Sequence, residues 1–180
     1  MQRNLILTYC RRYAATFGLD NLNIRDVAES CRISVGTIYN LFPSKEVLLA
    51  ETIRDVWRHV LKFTDFCVTC NSFPKYVDQL YTQLFEGTLA YPGLFSGKSS
   101  LSVNMVENGA LEAIEEFYDT LVTMLLDALH NDPDVKKGLF TEDFSRLDFI
   151  EFVFFSMLTS IGQRKKSCKT LTEIIARIIY

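Results

Sequence analysis

Three helix-start signals follow one another closely between residues 23 and 48, and their spacing constrains the fold more than any other feature of the chain. Asn23, Ser34 and Ser44 are residue types that cap helix N-termini. Pro43 disfavours helical geometry at the residue before it, so the helix after Ser34 is expected to end after about two turns. Two short helices joined by a tight turn form a helix-turn-helix, the arrangement that places one helix in the major groove of DNA.

The remaining chain carries apolar residues at helical spacing. The predicted helices cover residues 3–17, 24–30, 34–41, 44–63, 72–90, 109–130, 142–161 and 171–179. Hydrophobic residues make up 48% of the 180, which is enough for a sizeable core. We therefore predict an all-α fold in which residues 1–45 form a three-helix helix-turn-helix domain, joined by a long helix to a helical domain over residues 46–180.

Charge is unevenly divided along the chain. Residues 1–48 hold six Lys or Arg against four Asp or Glu, a balance of +2, whereas the rest is −5 and the whole chain −3. A weakly positive N-terminal segment on an otherwise acidic chain favours binding to nucleic acid through that segment. The pI of 5.4 argues against indiscriminate nucleic-acid binding.

A family resemblance covers residues 3–49. It rests on Ala14-Ala15 with Phe17-Gly18, on Ile24-Arg25-Asp26-Val27-Ala28, and on Ile33-Ser34, Gly36-Thr37, Tyr39, Phe42-Pro43-Ser44-Lys45-Glu46 and Leu48. At this spacing the residues resemble the N-terminal domain of TetR-type transcriptional repressors. The resemblance implies a homodimeric DNA-binding repressor whose affinity for its operator falls when a small molecule binds. The later domain would then bind the ligand and dimerise.

The same resemblance implies which residues contact double-stranded operator DNA. They are Asn23, Arg25, Arg32, Ser34, Gly36, Thr37, Tyr39, Asn40 and Lys45. Thr37 and Asn40 can hydrogen-bond base edges or phosphate. Tyr39 and Lys45 match positions that usually hold phosphate in this family. Asn23 and Arg25 would hold the neighbouring phosphate.

The chain departs from the family pattern in the turn and in the recognition helix. Arg32 stands where Gly is usual, so a residue with a Cβ is expected in a left-handed conformation. Val35 stands where a polar or basic residue is common, and Leu41 where His is common. Each of these two changes predicts one missing contact to DNA.

Aromatic residues are dense, with 14 Phe, 8 Tyr and one Trp, and most are expected in the core. A subset lies on the middle helices, where the resembled family keeps its inducer site. These candidate pocket residues are Trp57, Phe63, Tyr81, Phe85, Tyr91, Phe95, Phe117 and Tyr118. Because no charge cluster accompanies them, the predicted ligand is apolar or aromatic.

The predicted helix over 142–161 is apolar on nearly all sides, so it must be buried on more than one side. In a chain of this size a second subunit is the natural cover, through an isologous interface. The predicted interface residues are Phe149, Phe152, Val153, Phe155, Met157, Ile174 and Ile178. A dimer also provides two recognition helices for two half-sites.

Other classes of function find less support. No metalloprotease, P-loop or nucleophile-elbow motif is visible, so an enzyme is not predicted. Cys67 and Cys70 form a single C-x-x-C pair without a second pair or a preceding strand, and neither a cofactor nor a metal is predicted. An adaptor that binds another protein through the apolar pocket, with a weak or vestigial DNA-binding head, is the alternative, because Val35 and Leu41 depart from the family.

Targeting signals are also absent from the sequence pattern. The N-terminal apolar run, Leu5-Ile6-Leu7, is too short for the core of a signal peptide. The longest apolar stretch, around residues 152–161, is too short to span a membrane, so we expect a cytoplasmic protein without a membrane partner.

Overall fold

Helices account for all regular secondary structure in the part of the chain that the computed structural model describes, which is residues 1–19, 21–61, 71–92 and 111–180. These helices are α1 (Gln2–Phe17), α2 (Ile24–Cys31), α3 (Val35–Leu41), α4 (Lys45–Val60), α5 (Phe73–Ala90), α6 (Leu111–His130), α7 (Arg146–Gly162) and α8 (Lys169–Ile179). The predicted all-α fold class is confirmed. Among the described helices, none combines the length and apolar character that crossing a membrane requires.

Local signals set one end of each of the first three helices. Asn23 Oδ1 accepts a hydrogen bond from the backbone N–H of Arg25 at 3.0 Å, which caps α2. Ser34 Oγ accepts one from the backbone N–H of Thr37 at 3.0 Å, which caps α3. Gly18 follows α1 with φ 75°, a conformation that glycine adopts without a Cβ clash.

The contacts divide the described chain into two compact units. The first consists of Met1–His59 with Gly87–Phe117, and the second of Val60–Glu86 with Tyr118–Tyr180. The first unit therefore contains the helix-turn-helix and most of α4. The domain boundary after residue 45 stays a prediction.

Each helix of the helix-turn-helix domain contributes at least one apolar side chain to its core. Ile6 and Cys10 of α1, Val27 of α2, Ile38 of α3 and Phe42 after it are all fully buried. The α1 pair is four residues apart, the spacing that brings side chains to one face of a helix. Burial of this kind contributes about 1.5–3 kcal/mol for each large apolar side chain and fixes how the two short helices cross.

Ion pairs connect α4 to its neighbours in the first unit. Arg11 of α1 lies 2.7 Å from the Asp55 carboxylate. Arg54 donates two hydrogen bonds to Glu116 of α6, at 2.6 and 2.8 Å. Because Arg54 presents both nitrogens to one carboxylate, the pair fixes direction as well as distance. The long helix that follows the recognition helix is thus fastened on two sides.

The start of α7 differs from the prediction. The helix begins at Arg146 and not at residue 142. Ser145 Oγ accepts from the backbone N–H of Asp148 at 3.1 Å, and the Asp148 carboxylate accepts from the backbone N–H of Ser145 at 3.2 Å. The bonds to Ser145 also hold the pKa of Asp148 below its usual value. This reciprocal capping box sets the helix start, and apolar spacing does not reveal it.

A buried carboxylate fastens the second unit together. Asp132 is only 5% exposed and accepts hydrogen bonds from the backbone N–H of Phe73 at 2.7 Å and from the Tyr180 hydroxyl at 2.5 Å. Burial, with the bond to Asp132, raises the pKa of Tyr180 to about 12. The start of α5 and the residue after α8 are therefore joined through one side chain.

Two helix ends and several predicted residues complete the comparison with the sequence. Helix α4 ends at Val60, and α8 begins at Lys169, two residues before its predicted start. Four residues named in the predictions lie outside the described residues: Phe63, Cys67, Cys70 and Phe95.

Candidate nucleic-acid interface

Helix α3 presents one face to solvent and the other to the core. Val35, Gly36, Tyr39 and Asn40 are exposed, whereas Ile38 is fully buried. At about 100° per residue, the four exposed positions fall within about 140° of the helix circumference. The outer face therefore offers an amide, a phenol, an isopropyl group and a position without a side chain.

The hydroxyl groups of Ser34 and Thr37 are bonded to each other at the start of α3. Their oxygens lie 2.8 Å apart, and Ser34 Oγ also accepts the backbone N–H of Thr37. Thr37 is only partly exposed, while Asn40 is exposed. Part of the hydrogen-bonding capacity of Thr37 is thus spent within the cap, and Asn40 is the more accessible of the two predicted base contacts.

An open cleft of about 580 Å³ lies beside this face. Four of the predicted DNA contacts line it, namely Asn23, Arg25, Tyr39 and Lys45. Asn21, Leu22, Ile24 and Val35 complete the lining. The start of α2, the middle of α3 and the start of α4 therefore contribute two cations, a phenol and amides to one concave surface. Such groups match the charge and hydrogen-bonding needs of a phosphate diester.

The start of α4 adds a helix terminus to this surface. Ser44 Oγ accepts from the backbone N–H of Val47 at 3.3 Å. The hydrogen bond with Ser44, followed by the Glu46 backbone, lowers the pKa of the Glu46 carboxyl. A negative group at this end is stabilised by the positive end of the helix dipole. Lys45, half-buried beside this cap, adds its positive charge to that of Arg25 in the cleft.

The turn between α2 and α3 adopts the predicted left-handed geometry. Arg32 has φ 55° and ψ 44°, and its backbone N–H bonds to the carbonyl of Glu29 at 3.0 Å. The backbone N–H of Ile33 bonds to the carbonyl of Ala28 at 2.9 Å. Two turn hydrogen bonds therefore hold a strained conformation at a residue with a Cβ, and Arg32 is exposed shortly before the start of α3.

Gly36 has more room than its own chain requires. A Cβ built at this position would meet only Ser34 Oγ, at 3.7 Å, which is ordinary van der Waals contact. Packing within the described residues therefore does not demand a glycine here.

Three predicted pocket residues lie in the first unit, two as a stacked pair and one apart from that pair. Trp57 of α4 and Phe117 of α6 stack with ring centroids 3.7 Å apart and planes 14° from parallel. Tyr91 is buried, and that burial raises its pKa, with Arg11 and Asp55 as nearby charges. The aromatic pair joins the same two helices as the Arg54–Glu116 ion pair.

The predicted pocket residues of the second unit have partners of their own. Tyr81 is buried and donates to the backbone carbonyl of Lys165 at 2.6 Å, and its ring lies parallel to that of Phe85 at 6.3 Å. Tyr118 donates to Glu151 at 3.0 Å, and its ring meets Phe154 edge to face at 5.2 Å. Each of the three rings therefore has an aromatic partner within the second unit.

The predicted interface residues separate into two groups by burial. Phe149, Val153 and Met157 are in the core of the second unit. Phe152 is 52% exposed, Phe155 55% and Ile174 43%. Ile178 is partly exposed. Since α7 and α8 pack on each other, the exposed members lie on two adjacent helices.

Sequence reasoning missed some of the residues at the interface and beside it. Asn21 lines the cleft because the chain turns there into α2, and no sequence motif marks it. Val35 was expected only to lose a contact, yet it lines the same cleft. The exposure of an apolar residue on a recognition helix is visible only once the buried face of α3 is known.

Comparison with known families identifies the N-terminal part. Residues 6–52 match the family model of bacterial regulatory proteins of the tetR family. The match covers α2 and α3 completely and includes the residues that line the cleft. The resemblance of residues 3–49 to this family is confirmed for that part of the chain. No curated protein is significantly similar to the chain in sequence.

Solved structures share the fold over nearly the whole length. A protein of Rhodococcus sp. assigned to the TetR-family transcriptional regulators has 15% identity and a TM-score of 0.66, over 99% of this chain and 98% of that one. The reduced form of NemR from E. coli has the same identity, coverage and TM-score. The fatty acid degradation regulator FadR from Bacillus halodurans has 17% identity and a TM-score of 0.64, over 98% and 92%. At these identities the likeness concerns the fold.

Proposed function

The chain carries the DNA-binding domain of the tetR family at residues 6–52 and has the fold of its regulators, and from this premise we propose that it is a ligand-responsive transcriptional repressor. It binds operator DNA as a homodimer, with α3 in the major groove. One observation carries the proposal: the cleft that gathers Asn23, Arg25, Tyr39 and Lys45 beside the exposed face of the recognition helix.

In this proposal the two sides of the helix-turn-helix have different tasks. Asn23, Arg25, Tyr39 and Lys45 of the cleft, together with Arg32, hold phosphates and set the register of α3 on the duplex. Asn40 is the exposed amide of α3 and contacts a base edge, where an Asn side chain can pair with adenine. Gly36 allows the helix to approach the DNA backbone, which explains a glycine where the protein itself leaves room for a Cβ.

The proposal is tested with Lys45→Ala and Gly36→Ala on duplexes selected by the protein from a random-sequence library. Losing one phosphate contact per subunit should reduce the slope of log affinity against log salt by about 0.9 per contact, or about 1.8 per dimer. Gly36→Ala should bind DNA more weakly although alanine favours the helix by about 1 kcal/mol and fits within the chain. Thermal unfolding provides the folding control for both variants.

The outcomes separate the candidate functions. Weakened binding with unchanged or raised thermal stability supports a DNA-binding head. If the wild-type protein enriches no sequence at low salt, the better interpretation is an adaptor that binds another protein. The exposed face of α3 would then have a role other than DNA binding.

Dimerisation is proposed through the exposed apolar side chains of α7 and α8. Phe152 and Phe155 lie on α7 and Ile174 on the neighbouring α8, and all are at least 43% exposed in the single chain. Residues of this size and exposure mark an interaction surface when they are contiguous. A second copy covering the same face gives the two-fold symmetry that paired half-sites need.

Phe155→Glu should therefore produce monomers that lose high-affinity DNA binding, measured by sedimentation and by DNA titration. Leu89→Glu is the matched control, because Leu89 is also a large exposed apolar residue, 65% exposed, and belongs to α5. It should remain dimeric. Equal effects of both substitutions would move the interface away from α7.

Ligand binding is proposed beside the aromatic pair of Trp57 and Phe117, with an apolar or aromatic ligand. These rings join α4 to α6 at the point where the Arg54–Glu116 pair also joins them. A ligand that separates the rings would shift α4, which Asp55 fastens to α1. The coupling free energy required is typically about 1–3 kcal/mol. Trp57 is the only tryptophan, so its fluorescence reports ligand titration directly.

A further inference from the structure

Val35 is an apolar side chain at an unusual place, the outer face of the recognition helix. It is the first residue of α3 and is 37% exposed. Gly36, Tyr39 and Asn40 share its face, and the apolar side chain of Ile38 points into the core instead. More than a third of the Val35 surface is therefore open to solvent, and its isopropyl group is available to a molecule that α3 approaches.

The surroundings of Val35 favour a DNA duplex as the occupant. It lines the same cleft as Arg25 and Lys45, the two cations suited to hold phosphates, and Tyr39 lies one turn further along α3. The polar groups next to it are partly occupied, since the hydroxyls of Ser34 and Thr37 share a hydrogen bond of 2.8 Å. The first turn of α3 thus presents an apolar contact, flanked by positive charge.

The major groove offers one apolar feature to such a contact. Of the base edges exposed there, only thymine carries a methyl group, and apolar side chains recognise it by contact. Residues at the start of a recognition helix are those that meet base edges. We propose that Val35 contacts the methyl group of a thymine in each operator half-site and so determines specificity at that base pair. This inference rests on the proposed DNA-binding function.

The test removes the methyl group without changing base pairing. Duplexes are selected from a random-sequence library by the wild-type protein, and each thymine of the selected sequence is replaced in turn by deoxyuridine. Burial of one methyl group corresponds to about fourfold in affinity per half-site. Wild-type binding should therefore fall about fourfold for one substitution and about sixteenfold when both half-sites carry it.

Val35→Ala closes a double-mutant cycle with the same duplexes. This variant should bind the thymine duplex more weakly and should lose most of its preference for thymine over uracil at that one position. Val47→Ala is the matched control, because Val47 is 40% exposed on α4 and lies about 200° around that helix from Lys45. It should keep the full preference. Since Val35 is exposed and alanine is the better helix former, the variant is expected to fold.

Each outcome decides the inference. Loss of the thymine preference in Val35→Ala alone supports it. Selected duplexes that tolerate deoxyuridine at every position overturn it and leave the DNA-binding function standing, as does a Val35→Ala variant that retains the preference. A library from which the protein enriches no sequence overturns both the proposed function and this inference.

Discussion

Replacing Arg32 by glycine should stabilise the fold. At φ 55° and ψ 44° the left-handed conformation costs a residue with a Cβ about 1–2 kcal/mol. Glycine avoids that cost but loses about 0.4–1 kcal/mol to the greater freedom of the unfolded chain. Arg32 makes no side-chain ion pair with another described residue, so no contact opposes the gain. The difference between these ranges is about 0–1.6 kcal/mol, and its centre of about 0.8 kcal/mol should raise Tm by about 2–3 °C in a chain of this size.

The same substitution should weaken DNA binding. Arg32 is exposed at the turn before α3, and glycine removes its cation. If each subunit loses one phosphate contact, the slope of log affinity against log salt falls by about 1.8 for the dimer. Stability and affinity therefore move in opposite directions, which a general defect in folding cannot produce.

Arg164→Gly is the control that separates these two effects. Arg164 also has a positive φ, 56°, and is exposed after the end of α7, in the second unit. It should give a similar rise in Tm without changing the salt slope. Thermal unfolding by circular dichroism and fluorescence anisotropy between about 50 and 200 mM salt measure the two quantities. A lower Tm for Arg32→Gly, or equal salt slopes in both variants, would refute the reasoning.

The features that the sequence predicts well are those encoded within one or two turns of helix. Asn23 and Ser34 cap their helices as expected, and Arg32 takes the left-handed geometry expected at this turn. The start of α7 was predicted wrongly for a related reason. Apolar spacing cannot show where Ser145 and Asp148 exchange their hydrogen bonds.

Contacts between residues far apart in the chain could not be predicted from the sequence, for a different physical reason. Arg54 and Glu116 are separated by 62 residues, and nothing local indicates that their helices meet. The same limit applies to α7. Periodicity marked both Phe152 and Val153 as apolar, but only the positions of the neighbouring helices decide that Val153 is buried and Phe152 is half exposed. The exposure of Val35 follows in the same way from the burial of the opposite side of α3.

Two further predictions concern groups inside the units. Tyr81→Phe should lower the free energy of unfolding by about 1 kcal/mol in urea titrations. The reason is that buried Tyr81 loses the hydrogen bond from its hydroxyl to the Lys165 carbonyl. An unchanged unfolding midpoint would contradict this prediction. Acid should loosen the contact between α4 and α6. The hydrogen bond from Arg54 lowers the pKa of Glu116 below its ordinary 4.5, so the pair stabilises the fold above that value and is lost as pH falls through the lowered pKa. Trp57 fluorescence should follow that loss, and Glu116→Gln should abolish this part of the acid transition while leaving the transitions of other carboxylates in place. A fluorescence titration that is identical in the variant would show that the ion pair does not hold the two helices together.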